Sequence, residues 1–250
     1  MVTLFHRSYE INLYFQKIIN KLQSMKHQFL ILFIIIPGFI FSQTAEFEKP
    51  NYKKIEKEIS KKESNFFYDS LFKRYQNGDT TLNIQEKRHL YYGGVFQDTY
   101  APYGSSNYAD SIKILLKNNP LTDTDYKNII RFSDLIFLEN PFDLEALNYA
   151  LFACDKSEQT SLLHKKYAQM NVIFDAVLSS GDGLKKESAF YVIYINHEYA
   201  VLNILGFEFG GQQRLIEHYD FLKVNKNKYN IEGFYFDVSP SLNHLNEIYK

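Results

Sequence analysis

The chain has 250 residues, 45% hydrophobic and 23% charged, a composition that can bury a sizeable core and argues against wholesale disorder. Its formal net charge is −1, from 28 Lys+Arg against 29 Asp+Glu, and without residues 1–42 it becomes −4, with 24 basic and 28 acidic residues left. No basic surplus then remains to hold a phosphate backbone, so nucleic acid is not an expected partner.

Residues 25–42 read as an export signal. Met25-Lys26 supplies a start and a positive end, and 29–41 is an uncharged apolar stretch of thirteen residues. A bilayer-spanning helix needs about 20 apolar residues, so this run fits the apolar region of a signal peptide better than an anchor. Pro37-Gly38 breaks it, Ser42 offers a small residue at the cut, and Gln43 stands where a lipid anchor would need cysteine. The mature chain is expected to begin at Gln43, in the periplasm or secreted, with no membrane span. Residues 1–24 are read as an upstream mis-start or a leader extension, with translation from Met25 preferred.

Residues 43–180 are predicted to form helical hairpins. Phe67, Leu71, Phe72 and Tyr75 make one apolar stripe, preceded by Ser64-Asn65 and closed by Asn77-Gly78-Asp79. Asn83 with Glu86 has the form of a capping box opening a helix through Tyr91 and Tyr92, and Thr122 with Asp125 repeats it before Ile129–Leu138. Asn140-Pro141 ends that helix, and Asp143 caps Leu144–Asp155. Cys154, the only cysteine, falls on the apolar face there and reads as a small buried hydrophobe. Thr160–Ser180 carries Leu163, Tyr167, Met170, Phe174 and Val177 at threes and fours, and Gly181 suits its C-terminal turn. Asn140-Pro141, Ala146-Leu147 and Ala150 give the pair of helices a tetratricopeptide-like look, without a clean 34-residue period.

Residues 181–250 are predicted to form a small α+β cap packed on the last of these helices. Phe190–Ile195, Tyr219–Val224 and Gly233–Val238 read as three strands of an antiparallel sheet, with His197–Leu205 as a short helix closed by Gly206. Gly210-Gly211 reads as a hinge. The fold class is thus mainly α, with a three-stranded antiparallel cap.

Three segments together resemble a known family: Tyr91-Tyr92-Gly93 with Phe96-Gln97 and Tyr100-Ala101-Pro102-Tyr103; Gly181-Asp182-Gly183 with Phe190-Tyr191-Val192-Ile193; and Ile231-Glu232-Gly233-Phe234-Tyr235-Phe236. They look like an uncharacterised domain of unknown function found in exported Bacteroidota proteins. The resemblance covers roughly residues 50–240. It implies export and a helical body with a β tail, and it carries no activity.

The motifs weighed for chemistry are sparse. His197-Glu198 begins like a zinc-protease helix, but Val201 stands where the second histidine would be, so a structural pair is preferred. Gly181-Asp182-Gly183 lacks the Lys-Ser/Thr of a phosphate loop and the alternating oxygens of a calcium loop, and it reads as a tight turn. His89, His164 and His218 have no recognisable partners in sequence. No metal and no cofactor are expected. With 20 Tyr, 22 Phe and no Trp, the aromatic content suits sugar stacking, although codon bias in an AT-rich genome accounts for it equally and is preferred.

Within that excess, Tyr91–Tyr103 is the most suggestive segment. Tyr91, Tyr92, Gln97, Tyr100 and Tyr103 could bind a peptide or glycan, or their rings could simply pack one helix pair onto the next. The leading expectation is a non-enzymatic binding or scaffolding module with a protein, peptide or glycan partner in the cell envelope. The alternative is a hydrolase-like envelope enzyme gathering Asp182, His197 and Glu198.

Overall fold

The computed structural model describes residues 47–248. The expected leader extension (1–24) and export signal (25–42) lie outside the described residues. Among those described are nine α-helices and one four-stranded mixed sheet.

The helices begin where side chains can take up free backbone donors. Asn51 caps α1 (Tyr52–Ile59) by accepting from Lys54 N at 3.1 Å. Helix α2 (Tyr68–Gln76) starts without a side-chain cap, because Phe67 holds the cap position and its side chain has no acceptor; Ser64 accepts from Phe66 N in the preceding turn. The capping box at α3 (Ile84–Gly93) is formed: Glu86 N donates to Asn83 at 3.0 Å, and Asn83 N to Glu86 at 2.7 Å. Thr122 and Asp125 do the same for α5 (Asp123–Glu139), and Asp143 accepts from Ala146 N to open α6 (Leu144–Lys156). Helix α4 (Asn107–Leu115) packs on α5, α5 on α6, and α6 on α7 (Thr160–Leu178), which α3 also meets.

Buried Arg88 ties the start of the body to this stack. Its guanidinium donates to Ser179 Oγ at 2.7 Å and to the Glu48 carbonyl, while Glu48 N donates to Ser179 O at 3.0 Å.

The sheet corrects the expected three-stranded antiparallel cap in two ways. Its order is β1-β4-β3-β2, with β1 (Phe190–Tyr191) parallel to β4 (Gly233–Asp237), and the other pairs antiparallel. First, the apolar run from Phe190 is a strand for only two residues. Beyond Val192 its backbone is claimed by side chains: Ile193 N donates to Tyr91 Oη at 3.2 Å, and Ile193 O accepts from Tyr100 Oη at 2.6 Å.

Second, the Gly210-Gly211 pair is not a free hinge but part of β2 (Phe209–Ile216), which pairs with β3 (Tyr219–Val224) through a register shift between Phe209 and Gln213. A Cβ on Gly210 would sit 2.9 Å from Val224 C, and Gly211 has φ of 78°, so the bulge needs both glycines. Helix α8 (His197–Ile204) lies between β1 and β2 in the chain, and α9 (Ser239–Ile248) follows β4. The core of the sheet is aromatic, with Phe236 fully buried 5.7 Å from Phe190 and Phe234 4.9 Å from Phe207.

Candidate functional site

The aromatic segment divides into core and surface. Tyr91 and Tyr92 at the end of α3 are wholly buried, and Tyr100 is 7% exposed. Tyr92 Oη donates to Ala176 O at 3.1 Å, so that hydroxyl, like those of Tyr91 and Tyr100, is taken up within the chain. Gln97 Nε2 donates to Gly93 O at 3.1 Å. Of the five residues expected to line a ligand site, only Tyr103 stands out into solvent, at 47% exposure, with Phe96 of the same segment also exposed. Tyr91 and Tyr100 instead hold α3 and the 97–103 loop onto the segment after β1, and Tyr92 ties α3 to α7.

That loop nevertheless borders a cleft of about 390 Å3. Ser105 and Ser106 line it with Lys113 of α4, Glu139 at the end of α5, and Asp143, Glu145 and Tyr149 around the start of α6. Tyr149 is 8% exposed and donates to Glu145 Oε1 at 2.6 Å, which fixes both side chains on the wall. Burial raises the carboxyl of Asp143 above its ordinary range. Three carboxyl groups face one lysine here, an arrangement that suits ligand groups donating hydrogen bonds or carrying positive charge. Reasoning from sequence missed this cleft, because its walls come from three helices and a loop.

His197 and Glu198 are adjacent at the start of α8 and both are fully buried, yet they enter different networks. His197 Nε2 lies 3.0 Å from the Phe142 carbonyl, and Nδ1 lies 2.8 Å from Tyr91 Oη. A carbonyl only accepts, so Nε2 carries the proton and Nδ1 accepts from the tyrosine. Burial lowers the His197 pKa to about 3, which keeps the ring neutral. Fully paired and neutral, it braces the core between α3 and α8.

Glu198 points the other way. Its Oε2 accepts from Gln213 Nε2 at 3.4 Å, and the same Nε2 donates to Asp220 Oδ2. Gln213 Oε1 in turn accepts from Tyr199 Oη at 2.6 Å. Glu198 Oε1 and Asp220 Oδ1 are both buried without a hydrogen-bond partner. Burial, and then the neighbouring Asp220, raises the Glu198 pKa to about 9, so its carboxyl holds a proton at neutral pH. Burial raises Asp220 as well. The sequence carried one signal of this pair: Asp220 alternates with Leu222 and Val224, an acid on the buried face of a strand.

Asp182 belongs to neither network. Its Oδ1 accepts from Leu184 N at 2.9 Å and Ser188 Oγ at 2.6 Å, shaping the turn in which Gly183 adopts a φ of 71°. The three residues of the hydrolase expectation thus occupy three separate hydrogen-bond networks. Among the described residues, no group of three or more His, Cys, Asp or Glu is placed to hold a metal ion, and no helix is long and apolar enough to cross a membrane.

A family model described as a domain of unknown function, DUF4919, matches residues 53–247. No curated protein and no solved structure matches the chain.

Proposed function

The chain belongs to the DUF4919 family, a domain of unknown function, and from that premise we propose that it is an exported, non-enzymatic binding or scaffolding module. In this reading the short apolar run before Gln43 directs export, and the paired helices, tetratricopeptide-like in their Asn140–Ala150 stretch, present the binding surface. The observation that carries the reading is the cleft between the 101–106 loop and α4, α5 and α6, which is framed by packed helices and so preformed. Its carboxyl groups suit a protein, peptide or glycan of the cell envelope that offers amines or hydroxyls.

Ala109 of α4 lines the cleft and is half-buried, so Ala109→Trp fills it from an existing wall. Affinity capture from envelope extracts should recover a partner with the native protein and lose it with Ala109→Trp at an unchanged melting temperature. A partner retained in full by the filled cleft would overturn the assignment.

A second reading, a hydrolase-like envelope enzyme, draws support from Glu198 alone. A protonated carboxyl beside a second acid is poised as a general acid. Its hydrogen-bond partner Gln213 is exposed, and a hydrolytic activity of the purified protein that disappears in Glu198→Gln would favour this reading over the first.

A further inference from the structure

The outer face of the β2–β3 hairpin carries a trough of about 1170 Å3 that is separate from the helical cleft. On the inner face, Gln213, Leu222 and Phe234 stand in register across β2, β3 and β4; on the outer face, the corresponding row is Arg214, Phe221 and Tyr235. The Arg214 guanidinium lies over the Phe221 ring at 5.3 Å, and Phe221 packs on Tyr235 at 4.8 Å.

The next outer position is Lys223, and its neighbours are glycines. Gly233 is its register partner on β4, and Gly210 lies against the Lys223 and Val224 backbone from β2. A Cβ at Gly233 would come within 2.4 Å of Leu222 O, so close strand approach requires glycine there. Gly233 is buried with the Phe221 ring against it, so the bare backbone lies on the β2 side of Lys223, at Gly210 and Gly211, and this opens the trough. The 225–232 loop closes its far end, held by Asn227, which accepts from Tyr229 N and Ile231 N and donates to Ile231 O.

The trough is electropositive although the chain without residues 1–42 is acidic. Arg214, Lys223 and Lys226 line it, all exposed and none in an ion pair among the described residues, against one carboxylate, Glu232. Its remaining polar lining is largely carboxamide, with Gln212 and Asn230 at the surface. Of its apolar groups, Phe221 and Val224 are buried and Ile231 of the loop is half-buried, which leaves little for the hydrophobic anchor that a docked peptide needs. Small-molecule pockets run to about 1,000 Å3, so the space suits a chain of several units.

We propose that this trough binds an anionic polysaccharide, its carboxylates on Arg214, Lys223 and Lys226 and its hydroxyls on Gln212, Asn230 and the backbone bared by the glycines. Exposed charge contacts are individually weak and screened by salt, so binding should be of modest strength and salt-sensitive.

The test is affinity electrophoresis of the purified protein through native gels containing polygalacturonate, neutral dextran or polyglutamate. Polygalacturonate should retard the protein, dextran should not, and polyglutamate should retard it less. The combined variant Arg214→Ala, Lys223→Ala, Lys226→Ala should weaken the polygalacturonate effect about tenfold. The equally charged control Lys53→Ala, Lys54→Ala, Lys57→Ala, on the exposed side of α1, should leave it within about twofold. Lack of retardation, equal losses in the two triple variants, or equal retardation by polyglutamate would each overturn the proposal.

Discussion

Replacing Glu198 by glutamine should make the protein more tolerant of alkaline conditions. The Glu198 carboxyl is fully buried, Oε1 has no partner, and burial followed by Asp220 raises its pKa from 4.5 to about 9. A group whose pKa is raised in the folded state contributes stability that is fully present below its unfolded value. That contribution is lost as pH climbs toward the folded value. Between pH 5 and pH 8 the unfolded chain releases this proton while the folded chain keeps it. The loss is about 1.4 kcal/mol per pH unit, or ~4 kcal/mol across the interval.

Glutamine matches the shape and cannot ionise, so Glu198→Gln removes this slope and leaves the titration of Asp220 and the surface groups in place. Urea unfolding of both proteins at pH 5, 6, 7 and 8 gives the comparison. The native protein should lose ~3–4 kcal/mol more than the variant over that range, an order-of-magnitude figure set by the proton linkage. Parallel stability curves, separated by a constant offset at every pH, would show that the carboxyl ionises freely in the folded state and would refute the reasoning.

The other predictions concern the core, the surface aromatic and maturation. Phe236→Ala should cost about 3–5 kcal/mol in chemical denaturation, since the ring is fully buried beside Phe190, and a loss below ~1 kcal/mol would make the sheet peripheral. Tyr91→Phe strands His197 Nδ1 and Ile193 N–H inside the core and should cost about 1–3 kcal/mol. Tyr103→Ala, at an exposed position, should stay within about 0.5 kcal/mol in the same assay. Mass analysis of the secreted form should find Gln43 as its first residue, and a product still containing Phe29–Phe41 would count against the export reading.

The sequence by itself determined the features that depend on near neighbours. Helix starts at Asn83, Thr122 and Asp143 were legible because a cap and its acceptor lie within three residues, and the capping hydrogen bonds form. The stripes that bury α5, α6 and α7 were legible for the same reason, their periodicity being local. The resemblance to an uncharacterised domain family was likewise carried by short local segments, and the family model matches residues 53–247.

Tertiary structure decided everything that joins distant residues. Whether Tyr91 serves a ligand or the core depends on His197 and Ile193, more than a hundred residues away, and burial among them took the hydroxyl out of reach of solvent. The run after Phe190 stops being a strand because Tyr91 and Tyr100 occupy the Ile193 backbone, which strand propensity cannot register. Strand β2 escaped notice because its residues are largely exposed and its glycines serve a bulge, leaving no apolar alternation to read. The clefts and the Glu198–Asp220 pair exist only where separate elements meet, since burial and the field of a neighbouring charge are properties of three-dimensional packing.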